Sequence, residues 1–268
     1  MKRVIVLGLC LLFCSGVYAQ SLGSRMANID TELELGESQF ALAPLSYIYF
    51  GFNALTNTND AVLKQNMGFF RSQQLGVNIA EIAYRPFEGA RLSLGADFSA
   101  NWFNLQSDYM WCPAVLPIKD GRASWGPNGR FVDFGPKEEF GIKEVDRSVL
   151  SVCSFGVPLT FSYTVRSFTV ALGGTLEVNL DGCIRFKGVD EQGNNINEMR
   201  SGNHYSNKIG VNRLGFNVHA AFSYGGLGLY FKYSPVPKFY KGIVNEQVIE
   251  CGPQFQTWSV GLIMGLGM

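Results

Sequence analysis

The chain predicts an all-β fold, an eight-stranded antiparallel up-and-down transmembrane β-barrel with long extracellular loops. Three observations predict it. Leu214, Phe216, Val218, Ala220, Phe222 and Tyr224 occupy alternate positions, Gly225-Gly226 follows, and Leu227, Leu229, Phe231 and Tyr233 resume the alternation. Period two marks a strand, and Gly-Gly between two such runs marks a tight hairpin; about 9–11 residues, apolar on one face and small or polar on the other, suit a strand that spans a bilayer. Composition is the second observation. Gly is 31 of 268 residues, Phe 21 and Tyr 11, while charged residues are only 16%, against about 25% in soluble domains. Third, the hairpin recurs along the chain, and its connections alternate between short and long.

The ends bound the mature protein. Lys2 and Arg3, an apolar run from Val4 to Phe13, and Val17-Tyr18-Ala19 make residues 1–19 a secretory signal peptide, with cleavage expected between Ala19 and Gln20. Phe13 stands before Cys14 where a lipoprotein signal has Gly or Ala, so no lipid anchor is expected. Residues 20–38, with Asp30, Glu32, Glu34 and Glu37, read as a periplasmic lead-in, and 39–268 as the barrel. The mature chain holds no second apolar run near 18 residues, so no transmembrane helix is expected. Loss of Lys2 and Arg3 leaves 20 basic residues against 22 acids, a formal charge of −2. That balance argues against nucleic acid as a partner.

In order, strand one is read at Phe40 to Ala54, with Ile48, Phe50 and Phe52 on its apolar face. Thr56 to Ser72 is a polar connection. Strand two, Gln74 to Arg85, alternates through Leu75, Val77 and Ile79 and then slips by one to Ile82 and Tyr84, which predicts a β-bulge near Ala80-Glu81. Pro86 to Gly89 is a tight turn. Strand three runs from Arg91 to Trp102, and Asn104 to Leu150 is a long insertion. Strand four, Val152 to Val165, contains Pro158, where a lost ladder bond predicts a bulge. Arg166-Ser167 turns into strand five, Phe168 to Leu180, and Asp181 to Ile209 is a polar loop. Strands six and seven are the hairpin above, Pro235 to Pro253 is a loop, and strand eight alternates Trp258, Val260, Leu262, Met264, Leu266 and Met268 outward.

Eight strands with strictly alternating loop lengths and both termini on the short-turn side give the plan of an outer-membrane barrel. The competing plan is a soluble lipocalin-like barrel, whose apolar face points inward around a ligand. The polar face here is rich in Gly, Ala, Ser and Thr, which suits a narrow interior, and the apolar face is large and aromatic, which suits lipid. Trp102, Tyr84, Tyr224 and Trp258, near strand ends, are candidates for interfacial girdles.

The stretch from Asn212 to Phe239, Gly252 to Leu262, and V-P-L-T-F-S-Y from Val157 to Tyr163 resemble the small porin-like (PorT-type) outer-membrane β-barrel family of Bacteroidota. The resemblance implies the fold and the location and carries over no catalytic residue. Barrels of this kind usually end in an aromatic residue, whereas this chain ends in Met268.

In these frames the inward face carries Arg91, Asp97, Glu177, Arg213, His219 and Lys232, together with Glu81 and Arg85. Ionised groups in a narrow interior must pair. They form either a salt-bridged filling or, alternatively, an ion pathway with a gate; eight strands leave room for side chains or one small ligand. Four cysteines remain after cleavage, Cys112, Cys153, Cys183 and Cys251, and spacing does not choose among their three connectivities. Cys153 and Cys183 flank the outer ends of adjacent strands and are candidates for a rim disulfide, with Cys112 and Cys251 as the second candidate pair. No zinc spacing occurs, and neither metal nor cofactor is expected. His204 and Ser206 match the His-x-Ser spacing of an outer-membrane lipid A deacylase, but Leu214 and Val218 stand where an orienting group and an acid would follow. The expectation is a non-enzymatic monomer of the Gram-negative outer membrane, held in lipid and meeting an extracellular or envelope partner through its loops. A narrow porin and a lipid A-modifying hydrolase are the alternatives.

Overall fold

The structure is a computed structural model, and it describes residues 40–58, 61–106, 108–113, 118–119, 122–123, 132–203, 210–244 and 247–266. The expected signal peptide and lead-in, and Met268, lie outside the described residues. Strand β1 spans Phe40–Thr56, β2 Gln73–Tyr84 and β3 Ala90–Asn104. Four short strands follow: β4 (Tyr109–Pro113), β5 (Ile118–Lys119), β6 (Arg122–Ala123) and β7 (Val132–Pro136). Then come β8 (Ile142–Val165), β9 (Phe168–Asp190), β10 (Asn195–Asn203), β11 (Leu214–Tyr224) and β12 (Leu227–Ser234). The hairpin of β13 (Lys241–Val244) and β14 (Gln247–Glu250) precedes β15 (Gln256–Met264).

Eight of these strands hydrogen-bond in the order β9-β11-β12-β15-β1-β2-β3-β8, and β8 pairs with β9 to close the ring. Every pairing is antiparallel. Closure removes the free edges that an open sheet would present. The short turns and the end of β15 lie at one end, the long connections at the other.

Period-two alternation sorts the side chains. Leu172, Leu176 and Leu214 point outward at 59%, 67% and 69% exposure, and they continue into a belt with Phe98, Leu159, Phe161, Val218, Phe231 and Leu262. At about 3.4 Å per residue and a tilt of about 45°, β11 alone covers roughly 25 Å, the height of a lipid-facing band. A soluble monomer does not expose a continuous apolar surface of this size. The inner face carries Asn53, Gln74, Ser99, Asp97, Thr175, Glu177, Asn217 and Ser259, all buried. A soluble ligand-binding barrel requires the reverse orientation; the protein is a membrane β-barrel.

Both rims of the belt are aromatic. Towards the loops, Phe52 meets Phe69 and Phe70 at ring-centroid distances of 5.8 and 5.6 Å, Phe69 meets Trp258 at 5.7 Å, and Trp258 stacks on Phe231 at 6.2 Å. Just beyond them the Tyr233 hydroxyl donates to Gln256 Oε1 at 2.6 Å. At the short-turn end Phe168 meets Tyr224 at 4.8 Å.

Several local expectations are corrected. The slip in β2 lies at Ile79, between the pairs Asn78–Asp97 and Ala80–Ala96, one or two residues before the expected site. Pro158 causes no register shift: it faces Thr175, and pairing with β3 simply lapses across Gly95 and Ala96. The register of β8–β9 instead shifts between Cys153 and Ser154, where Leu180 is the extra residue, and twice more towards the loops, between Ile142 and Glu144 and between Val145 and Arg147. Residues 181–190, expected as loop, continue β9, and β10 folds back on them. Residues 142–150, expected as insertion, continue β8. Strand β15 stops at Met264. Gly265 takes φ +97°, and Leu266, expected outward, turns in and is buried among Tyr49, Ala171, Ala221 and Ile263.

The loop-side end is itself a packed layer. The inward residues at the strand ends, Leu55, Phe103, Leu150, Val152 and Ile184, join Leu63, Met67, Trp111, Phe239 and Phe255 from the connections in one apolar cluster. Leu63 belongs to α1, Ala61–Asn66. The Trp111 indole N–H donates to the carbonyl of Phe103 at 3.0 Å, so its polar atom is satisfied in the core.

Candidate functional site: the lumen

Long side chains cross the lumen over glycines on neighbouring strands. Tyr49 faces Gly76, and its hydroxyl continues to Asp97 Oδ2 on β3 at 2.7 Å. Tyr230 faces Gly261, which faces Gly51, and its hydroxyl reaches Gln74 Oε1 on β2 at 3.1 Å. His219 faces Gly173, and its Nε2 comes within 3.1 Å of the Thr160 hydroxyl on β8. A Cβ at Gly173 would stand 2.6 Å from that nitrogen. A side chain at Gly76 would run into the Tyr49 ring. These glycines are therefore there for close approach as well as for turns.

Charge sits between these crossings. Lys232 Nζ donates to Glu177 Oε1 at 2.6 Å, both side chains nearly inaccessible to water. Arg91 Nη2 lies 3.2 Å from Glu81 Oε1 nearer the short-turn end. The Lys232 ammonium also lies 5.7 Å from the centre of the Tyr49 ring. Lys238, buried in the connection after β12, is close enough to feel both Glu177 and Lys232. Burial depresses its ammonium below the ordinary lysine value; Glu177 opposes the shift and Lys232 adds to it. Glu81, Asp97 and Glu177 thus meet Arg91, Lys232 and Lys238, three acids against three bases. Polar pairs flank them: Asn53 with Asn101 and Ser259, Ser154 with Asn179, and Ser234 with Asn217.

Six of the eight residues expected inside are brought together: Glu81, Arg91, Asp97, Glu177, His219 and Lys232. The other two lie elsewhere. Arg85 follows the last residue of β2 and is exposed in the short turn, and Arg213 precedes the first residue of β11 and is exposed beside the loop layer. Inward and outward alternate only within a strand, so neither position had a face to inherit. Lys238, Tyr49 and Tyr230 were not singled out. Lys238 carries one weak signal, its place as a single charge between the apolar Val236-Pro237 and Phe239-Tyr240.

Cys153, Cys183 and Cys251 are free thiols. Cys183 faces Ser151, and Cys153 faces Asp181. The two are therefore diagonal neighbours, whose typical spacing of about 7–8 Å exceeds the Cα separation of most disulfides. Cys251 is buried, and burial pushes its thiol up to about 11. The Cys112 side chain, His204 and Ser206 lie outside the described residues. No cluster of three metal-ligating residues occurs among the described residues, and none of their helices is long and apolar enough to cross a membrane.

A cavity of about 40 Å³ lies in the lumen, bordered by Tyr49, Asp97, Thr160, His219, Lys232 and Leu266. At roughly 10–15 Å³ for the smallest water site it has room for a few waters, and its walls offer them polar partners. Both ring nitrogens of His219 approach threonine hydroxyls, Thr160 and Thr175, so the imidazole acts here as a hydrogen-bonded strut.

No protein-family model matches the chain, and no curated protein matches it. Among solved structures the chain aligns with Ail, the attachment invasion locus protein of Yersinia pestis, in complex with the heparin analogue sucrose octasulfate, at 11% identity and a TM-score of 0.30, over 84% of this chain and 96% of that one. It aligns with the CymD monoaromatic hydrocarbon channel at 10% identity and a TM-score of 0.28, over 84% and 72%, and with a mutant of the Rh. blastica porin at 9% and 0.19, over 84% and 99%. At these values the likeness assigns no function.

Proposed function

We propose that the protein is a non-enzymatic, integral β-barrel of the Gram-negative outer membrane, with a lumen closed by its own side chains and a loop-side layer that meets an extracellular or envelope partner. The observation that carries this reading is the stacking of two fillings. The Glu177–Lys232 and Glu81–Arg91 pairs occupy the lumen, and the cluster of Phe103, Trp111, Phe239 and Phe255 lies at its loop end. A folded layer with its own core presents a fixed surface, which a partner binds without first ordering it. The PorT-type resemblance of Asn212 to Phe239 supports the same reading, in which the source is a member of the Bacteroidota. The protein is read as a monomer, since ring closure leaves no barrel strand in need of a second chain.

The test is single-channel recording in a planar bilayer. Flat traces from the purified protein support the closed lumen. A second reading, a narrow porin for small solutes or ions, draws on the internal cavity beside Lys232 and Asp97. Steady conductance whose ion selectivity changes in Glu177→Gln would establish it in place of the first. The hydrolase reading stands or falls on acyl release from lipid A by the wild type and its loss in Ser206→Ala.

A further inference from the structure

A cleft of about 440 Å³ opens on the outer wall where the belt meets the loop layer, lined by Ala54, Thr56, Lys64, Met67, Phe69 and Trp258. Its volume falls within the roughly 300–1,000 Å³ of small-molecule sites. It lies apart from the lumen, and the lumen network uses none of its residues. Its lower wall is continuous with the lipid-facing belt: Trp258 stacks on Phe231, and Phe69 bridges Trp258 to Phe52. Phe70, 76% exposed, extends the same apolar surface. Its upper wall belongs to α1, whose last turn supplies the exposed ammonium of Lys64. The Tyr233, Asn57 and Gln256 hydrogen bonds mark nearly the same height as the edge of the apolar zone.

We propose that this cleft seats one anionic lipid, its phosphate against Lys64 and the upper part of one acyl chain against Trp258 and Phe69. The belt determines the source, because a molecule that lies in the cleft and on the belt together must have a hydrocarbon tail. Lys64 determines the sign of the head. The inference rests on the membrane reading and is independent of whether the lumen conducts.

The test uses the full mature chain in nanodiscs, with Trp102→Phe and Trp125→Phe leaving Trp258 as the outward-facing indole and Trp111 as a buried constant. Acyl-brominated phosphatidylglycerol is added at a small mole fraction to unlabelled phosphatidylcholine, and acyl-brominated phosphatidylcholine at the same fraction serves as the reference. A site preference of roughly fivefold for the anionic lipid is expected from quenching, as one lysine near an anionic surface provides. In Lys64→Gln the preference falls to one, while heat-modifiable gel mobility shows the barrel intact. Trp258→Phe abolishes the quenchable signal. Equal quenching by the two lipids in the parent chain, or displacement of the brominated lipid by inorganic phosphate alone, overturns the proposal. Failure of the parent chain to enter nanodiscs would instead count against the membrane reading itself.

Discussion

Leu176 and Leu214, on the belt, leave about two-thirds of their surface uncovered, whereas Phe103, Phe239 and Phe255, in the loop-side layer, leave none. The two regions use the same apolar chemistry under opposite rules. Belt residues find their solvent in hydrocarbon and need no protein neighbour; their value lies in the transfer of each side chain out of water. Loop-layer residues stand where water would otherwise reach them, and they are stable only by packing on one another. The belt should therefore tolerate a change of size and reject a charge, and the layer should be sensitive to size.

The largest effect is expected in the layer. Trp111→Ala removes a fully buried indole and its bond to the Phe103 carbonyl, and should cost about 3–5 kcal/mol of local stability. Amide exchange should rise across β4, β7 and residues 237–239, while the barrel strands stay protected and gel mobility stays heat-modifiable. Loss of the whole barrel would show that the two regions fold as one unit.

Next comes the lumen between them. Glu177→Gln strands a buried lysine and should cost about 3–5 kcal/mol in urea unfolding from lipid, with most of it recovered in the double variant Glu177→Gln/Lys232→Met. No recovery would mean that the cost lies in Lys238 left without Glu177, or in Asp97 left without Lys232, and not in the stranded Lys232.

The belt follows. Leu172 faces Ala220 halfway along β11, so Leu172→Arg should cost about 2–4 kcal/mol, whereas Leu172→Ala should cost far less. A reversed order of these two would place Leu172 in a packed core and erase the contrast.

The smallest effect concerns Cys251. With its thiol pushed up to about 11 by burial in the layer, alkylation at neutral pH should be slow and should quicken in Trp111→Ala. The sign for stability follows from linkage. The folded thiol gives up its proton at higher pH than the unfolded one, so its contribution is intact at neutral pH and is lost as the pH rises from about 9 towards 11.

The same contrast governs what the sequence made legible. Hairpin β11–β12 was readable to the residue, Leu214 to Tyr224 and Leu227 to Ser234, because lipid on one side and a narrow lumen on the other impose a strict period of two. The inward charges Glu81, Asp97, Glu177 and Lys232 were readable for the same reason. Where the outer side is no longer lipid the signal fades. Residues 181–190 and 142–150 are strand, yet the first alternate in a different frame after the bulge at Leu180, the second are interrupted by register shifts between Ile142 and Glu144 and between Val145 and Arg147, and both carry polar side chains outward. Leu266 was misread because the alternation continues in sequence past a Gly265 whose backbone has already turned away. The loop core was not legible, since Trp111, Phe239 and Phe255 come from connections far apart in the chain and share no period.

The most direct measurement of the central claim is nitroxide accessibility along β11 in nanodiscs, on a background with the native cysteines replaced by serine. Labels at Phe216, Val218, Ala220 and Phe222 should relax strongly with oxygen and barely with a water-soluble nickel chelate, while those at Asn217 and Ala221 should be shielded from both. Chelate access at Val218 and Ala220 equal to that of an exposed loop site would contradict the account, because it would put the apolar face in water.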